Sequence, residues 1–161
     1  MTEEDKNDDE HLFIASQALS SHELSSHELN TWLIDSGCTS HMTKYLSIFT
    51  SIDRSVQPKV KLGNCEVVQA KGKGTIAIST KRGTKIVTNV LYIPDLDQNL
   101  LSVAQMLRNG YAISFKENFC FITNVHEKET TKIKMNGNNF YLKLDLVEGH
   151  VFSAKIDESV V

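Results

Sequence analysis

A chain of 161 residues with 40% apolar content suits one globular domain with loose ends. No apolar run reaches bilayer-crossing length, and the opening MTEEDKNDDE is acidic where a signal peptide would be basic, so a soluble, cytoplasmic protein without membrane partners is expected. Residues 1–30 hold eight acids against the single base Lys6, and the net charge of −3 leaves +4 for residues 31–161, too small and dispersed an excess for direct nucleic-acid binding.

Residues 1–29 read as an acidic, Ser/His-rich linker, with a tandem SSHEL at Ser20–Leu24 and Ser25–Leu29. A five-residue period suits neither helix nor strand, two copies make no repeat architecture, and His22 and His27 are weak metal candidates, so disorder is the default there. From Thr31 the texture changes. TWLID is a short apolar run ending in turn chemistry at Ser36-Gly37, the pattern of a buried strand feeding a loop. VKLGNCEVV, Val60 to Val68, places strand-like pieces on either side of Gly63-Asn64, a hairpin signal. GTIAIST and the run from Lys85 to Ile93 predict further strands, rich in β-branched residues. A helix is predicted from Asn99, capped by Asp97, with Leu100, Val103, Ala104 and Leu107 at helical spacing and Gly110 past its end. YAISF, FCFIT, TKIKM and NFYLKL continue the strands. The fold class is mainly β, a small closed or sandwich-like domain with one short helix. The three cysteines, Cys38, Cys65 and Cys120, are an odd number without paired spacing and argue against a disulfide framework.

An aspartate directly after an apolar strand needs a reason, because burying an unpaired charge is costly. At Asp35-Ser36-Gly37, Ser36 can hydrogen-bond beside the carboxylate and Gly37 permits a tight turn with an exposed N–H. One carboxylate cannot serve as both base and acid in amide hydrolysis. Two facing carboxylates can, because they share a proton: one polarises the peptide carbonyl while the other activates water. The chain has one such triplet, so the second carboxylate must come from an identical copy across a two-fold axis.

The run Trp32-Leu33-Ile34-Asp35-Ser36-Gly37-Cys38-Thr39-Ser40-His41-Met42-Thr43 resembles the protease start of copia-type LTR retrotransposon Gag-Pol polyproteins, which are similar to retroviral retropepsins. Val60-Lys61-Leu62-Gly63-Asn64, Gly72-Lys73-Gly74-Thr75, Asn89 to Leu96 and Asn99 to Val103 follow in the family's order and spacing. The resemblance covers 31–123 and, less firmly, runs to Leu144. It implies a retropepsin-like protease domain over 30–123, half of a two-fold dimeric aspartic protease, followed over 124–161 by a β extension or pre-integrase spacer with a flexible tail. It further implies an endopeptidase acting on the element's own polyprotein, a homodimer free of cofactor and metal, housed in the element's virus-like particle. Asp35 would be the catalytic carboxylate, Ser36 and Gly37 its supporting loop, and Val60, Lys61, Leu62, Gly63 and Asn64 a substrate-binding flap. The helix from Asn99 would pack beneath the site.

The sequence departs from the retroviral pattern at Cys38, where alanine is usual, and before the helix, where Ile93 leads into Pro94-Asp95 and not into an apolar-apolar-Gly element. Competing readings are weaker. Ser36 lacks a G-x-S-x-G elbow. Cys38 and His41 form a C-x-x-H that Cys65, Cys120 or His126 might complete as a zinc site, but no second close pair exists. Trp32, Phe115, Phe119 and Phe121 read as core and not as a base-stacking platform. The remaining alternative is a catalytically inactive or domesticated copy serving as a dimerising interaction module.

Overall fold

The protein is seen in a computed structural model that describes residues 28–147. The expected linker therefore lies outside the described residues except for Glu28 and Leu29, as does the expected tail beyond Val147. In chain order the strands are β1 (Thr31–Asp35), β2 (His41–Thr43), β3 (Phe49–Asp53), β4 (Lys59–Lys61), β5 (Val67–Gln69), β6 (Lys73–Thr80), β7 (Gly83–Tyr92), β8 (Asn99–Ser102), β9 (Tyr111–Lys116), β10 (Phe119–Asn124), β11 (Glu129–Lys134) and β12 (Tyr141–Lys143). A 3-10 turn, Leu46–Ile48, precedes β3, residues 28–30 are helical, and a further α-helix, α1 (Val103–Arg108), follows β8.

A seven-stranded sheet in the order β12-β1-β8-β2-β7-β6-β3 is the frame. Its pairings are antiparallel except β1 with β8 and β2 with β7. The chain after β12 turns back onto β6: Ser79 N–H donates to Asp145 O at 2.8 Å, Val147 N–H donates to Ala77 O at 2.9 Å, and Leu146 bridges Ile78. These bonds join the β12 end of the sheet to β6, so the sheet closes on itself as a barrel does. A three-stranded sheet, β11-β10-β9, and the β4-β5 hairpin stand outside this circuit.

Both faces of the frame are covered, which is why Trp32, Leu33 and Ile34 are apolar in succession and do not alternate with polar residues. Trp32 and Ile34 point into the larger core with Phe49, Ile76, Val90, Leu101 and Met106, where Cys120 and Ile122 of β10 close it from the second sheet. Leu33 packs on the other side, in a core of Cys38, Met42, Val68, Ala70, Leu91, Ile93, Leu96 and Leu100 under the hairpin. Residues past 123 are built into the same body. Phe140 and Leu144 are buried in the larger core, Ile34 N–H donates to Phe140 O at 2.9 Å, and β12 pairs with β1.

Two expectations are corrected. Asn99–Ser102 is a buried strand, and the helix begins at Val103 with Ser102, not Asp97, as its cap. Leu100 and Leu101 face opposite cores, which a strand between two covered faces achieves and a helix turn does not. In β9 and β10 the buried positions are Cys120 and Ile122; Phe119 and Phe121 lie half-buried on the outer side, and Phe115 is 53% exposed. Trp32 is core as expected, wholly buried, although its indole N–H has no acceptor among the described residues.

The β3–β6 pairing shifts register at a bulge between Phe49 and Ser51, and the opposing backbone comes so close to Gly74 that an added Cβ would lie 2.1 Å from Ser51 O and 2.8 Å from Ile52 Cα. Backbone cannot yield as a flexible side chain would. Gly74→Ala is expected to lower unfolding free energy by about 2–4 kcal/mol, read from urea denaturation; an unchanged midpoint would show that the two strands separate freely there.

Candidate active site

Asp35 is the last residue of β1, and alternation along the strand puts its side chain on the face of Leu33, the face roofed by the β4-β5 hairpin. The carboxylate is half-buried. The chain then turns so tightly that Gly37 N–H donates to Asp35 Oδ1 at 2.7 Å. An added Cβ at Gly37 would sit 3.2 Å from that same oxygen, close enough that the carboxylate would have to give by a few tenths of an ångström, and would lie in ordinary contact with Gly63 Cα at 3.9 Å. Ser36 and Gly37 are exposed, beside the carboxylate.

The hairpin forms as expected, with its tip at Leu62–Glu66. Leu62 N–H donates to Glu66 O at 2.8 Å, Cys65 N–H donates to Leu62 O at 2.9 Å, and Asn64 Oδ1 accepts from Glu66 N–H at 2.9 Å. The left-handed residue of this turn is Cys65, at φ 71°, and not Gly63. Val60 and Leu62 turn inward onto the smaller core, whereas Lys61, Gly63 and Asn64 are exposed. The hairpin tip thus lies over the loop that carries Asp35. The structure brings the two sequence-derived groups, Asp35 to Gly37 and Val60 to Asn64, to one place.

Beneath the loop lies a buried polar set that the sequence reading did not assemble. Ser102 is the Cα partner of Asp35 in the parallel β1–β8 pairing. Its hydroxyl donates to Cys38 O at 2.9 Å and accepts from Gln105 N–H at 3.0 Å, and its N–H donates to His41 Nδ1 at 2.9 Å. His41 N–H in turn donates to Gln105 Oε1 at 2.8 Å, and Gln105 Nε2 donates to Thr88 O and Asn89 O. Asn99 plays a similar part at the other end of β8, accepting from Thr43 Oγ1 at 2.6 Å and donating to Glu28 O at 2.9 Å. Arg108, in the last turn of α1, donates to Thr39 O at 3.2 Å. The available signal was polar residues at otherwise apolar positions: Asn99 and Ser102 flank Leu100-Leu101, and Gln105 interrupts the helix's inward side. Buried polar groups must find partners.

His41 is committed to this set. Because Nδ1 accepts from an amide, the ring is neutral with its proton on Nε2. Burial, aided by the Arg108 charge, holds its pKa down at about 4. Cys38 is also settled: burial, reinforced by the Asp35 carboxylate, pushes its thiol up to about 12, a neutral thiol and no nucleophile. Cys120 lies in the larger core, across the sheet from Cys38, while Cys65 and His126 are exposed. Among the described residues no three His, Cys, Asp or Glu side chains are gathered to hold a metal. A cleft of about 560 Å³ exists, but it opens on the opposite face, lined by His41, Leu101, Met106 and Ile122 among others and not by Asp35.

Residues 32–111 match the family described as "Pol polyprotein, beta-barrel domain". The chain is 42% identical over 72 residues to the putative transposon Ty5-1 protein of Saccharomyces cerevisiae, covering 45% of this chain and 47% of that protein. It is 33% identical over 110 residues to the retrovirus-related Pol polyprotein from transposon TNT 1-94 of Nicotiana tabacum, covering 68% of this chain and 8% of the polyprotein. With that from transposon RE1 of Arabidopsis thaliana it shares 34% identity over 94 residues, 53% of this chain and 6% of the polyprotein. No solved structure matches. The chain belongs to the copia-type retrotransposon Pol polyproteins and carries their β-barrel domain. It corresponds to about half the length of the yeast relative and less than a tenth of either plant polyprotein.

The depressed His41 pKa fixes the sign of one pH effect. The unfolded ring titrates near 6.5 and the folded ring near 4, so protons bind the unfolded chain preferentially between these values. The stability contributed is fully present above pH 6.5 and lost as pH falls towards 4, on the order of 3 kcal/mol in all. Chemical denaturation from pH 7 to 4 should show this decline, and His41→Gln should shrink it; an equal slope in both chains would contradict the assignment.

Proposed function

We propose that this chain is one half of an aspartic endopeptidase that processes the retrotransposon polyprotein of which it is a region, and that the working unit is a homodimer. The observation that carries this reading is the Asp35 carboxylate, fixed by Gly37 N–H at 2.7 Å at a strand end and overlain by a hairpin tip. A lone carboxylate so placed offers one proton site. A second Asp35, brought by a two-fold axis, makes a pair that shares a proton. One member of the pair then removes a proton from water as that water attacks the peptide carbon, while the other donates its proton to the carbonyl oxygen.

The remaining groups have parts in this scheme. Ser36 and Gly37 are exposed, where a partner loop and a substrate backbone can reach them. The β4-β5 hairpin would lift to admit an extended polypeptide and close over it, offering backbone hydrogen bonds from Lys61, Gly63 and Asn64 while Val60 and Leu62 seat it on the smaller core. Neither metal nor cofactor is needed. That the plant relatives are Pol polyproteins supports a polypeptide substrate, the polyprotein that contains this region.

Purified protein should cleave a polyprotein fragment bearing those boundaries, and Asp35→Asn should lower the rate by roughly a thousandfold or more while leaving circular dichroism and unfolding midpoint near those of wild type. Equal cleavage by the variant would remove the aspartic mechanism. A wild-type chain that folds and dimerises yet cleaves nothing would turn the reading to the interaction module.

A further inference from the structure

The catalytic reading above leaves unexplained why three polar side chains are wholly enclosed under the Asp35 loop. Ser102 is 0% exposed, His41 2% and Gln105 4%. Their bonds form a closed circuit: Gln105 N–H to Ser102 Oγ, Ser102 N–H to His41 Nδ1, His41 N–H to Gln105 Oε1. The Ser102 hydroxyl proton is not used within that circuit. Ser102 Oγ accepts from the Gln105 amide, so its own hydrogen is left to point outward, and it meets Cys38 O at 2.9 Å.

We propose that Ser102 is a positioning residue for the Asp35 loop, oriented by His41 and Gln105 and acting through the Cys38 carbonyl; this rests on the protease reading for its catalytic consequence. The loop is pinned at two consecutive residues. From within, Gly37 N–H holds Asp35 Oδ1; from below, the Ser102 hydroxyl holds Cys38 O, at the point where the chain leaves the turn. With the lower bond gone, Cys38 O is a buried acceptor without its donor, and the turn relieves this by shifting. Any shift carries Gly37 N–H with it and rotates the carboxylate it holds. The register makes the arrangement specific, since Ser102 is paired with Asp35 itself and sits at the junction of β8 and α1. Gln105 extends the hold to Thr88 O and Asn89 O in β7, so three strands and the helix fix one hydroxyl.

Ser102 also caps α1, so the test must separate the two roles. Glycine is nearly as good a cap as serine and alanine is poor, whereas both lack the hydroxyl. Ser102→Gly and Ser102→Ala should therefore share one phenotype: kcat down tenfold or more with KM within twofold, and amide exchange at Gly37 at least tenfold faster than in wild type. A purely capping role predicts that only Ser102→Ala changes, with faster exchange in Val103–Arg108 and none at Gly37, and that result overturns the proposal. Should either variant fail to fold, the wild type itself gives the answer by NMR. A slowly exchanging Ser102 hydroxyl proton close to Cys38 is expected, and a freely exchanging one refutes the tether. A wild-type chain without peptidase activity removes the protease reading, while exchange at Gly37 still decides whether Ser102 holds the loop.

Discussion

The parallel pairing of β1 with β8 is the constraint from which the candidate site follows. It sets Asp35 opposite Ser102 and places β8 between β1 and β2, so that the strand before the Asp-Ser-Gly turn and the strand after it both lean on one central strand. A parallel neighbour cannot be supplied by a local hairpin; it requires the chain to travel from residue 35 to residue 99 and return. The intervening length is spent on β3 to β7 and on the hairpin that roofs the loop. The site is therefore formed late in the chain, and no fragment ending before β8 contains it.

This arrangement gives the two faces of the sheet different duties. The larger core, sealed by β9 to β11 and by Phe140 and Leu144, supplies most of the buried apolar surface. The smaller core lies under the hairpin and joins Cys38, Met42 and Leu100 of the frame to Val60, Leu62 and Val68 of the hairpin. The frame beneath is held by directional bonds among His41, Ser102 and Gln105 and between Asn99 and Thr43.

Much of this was legible in the sequence. The apolar run ending in Asp35-Ser36-Gly37, the hairpin around Gly63-Asn64 and the strands at 73–80, 83–92, 111–116, 119–124 and 129–134 are all visible as short-range patterns. β2 and β3 were not, because His41–Thr43 is too short to show a period and Phe49–Asp53 mixes polar with apolar positions. Leu100 and Leu101 belong to a buried strand that runs into the helix through Ser102, and not to the helix itself. Helical spacing misled there because Leu100, Val103 and Leu107 are also what a buried strand followed by a helix presents. His41 was weighed as a zinc ligand, yet its partner is an amide 61 residues away, a contact no local pattern encodes.

The central claim is that the Asp35 site is completed by a second copy of the chain. Mixing wild type with Asp35→Asn at fixed total concentration, after joint unfolding and refolding, tests this most directly. If each active unit needs two intact Asp35 carboxylates, peptidase activity will fall as the square of the wild-type fraction, since mixed dimers are inactive. Activity that falls in simple proportion to the wild-type fraction would place a complete site within one chain and contradict the account.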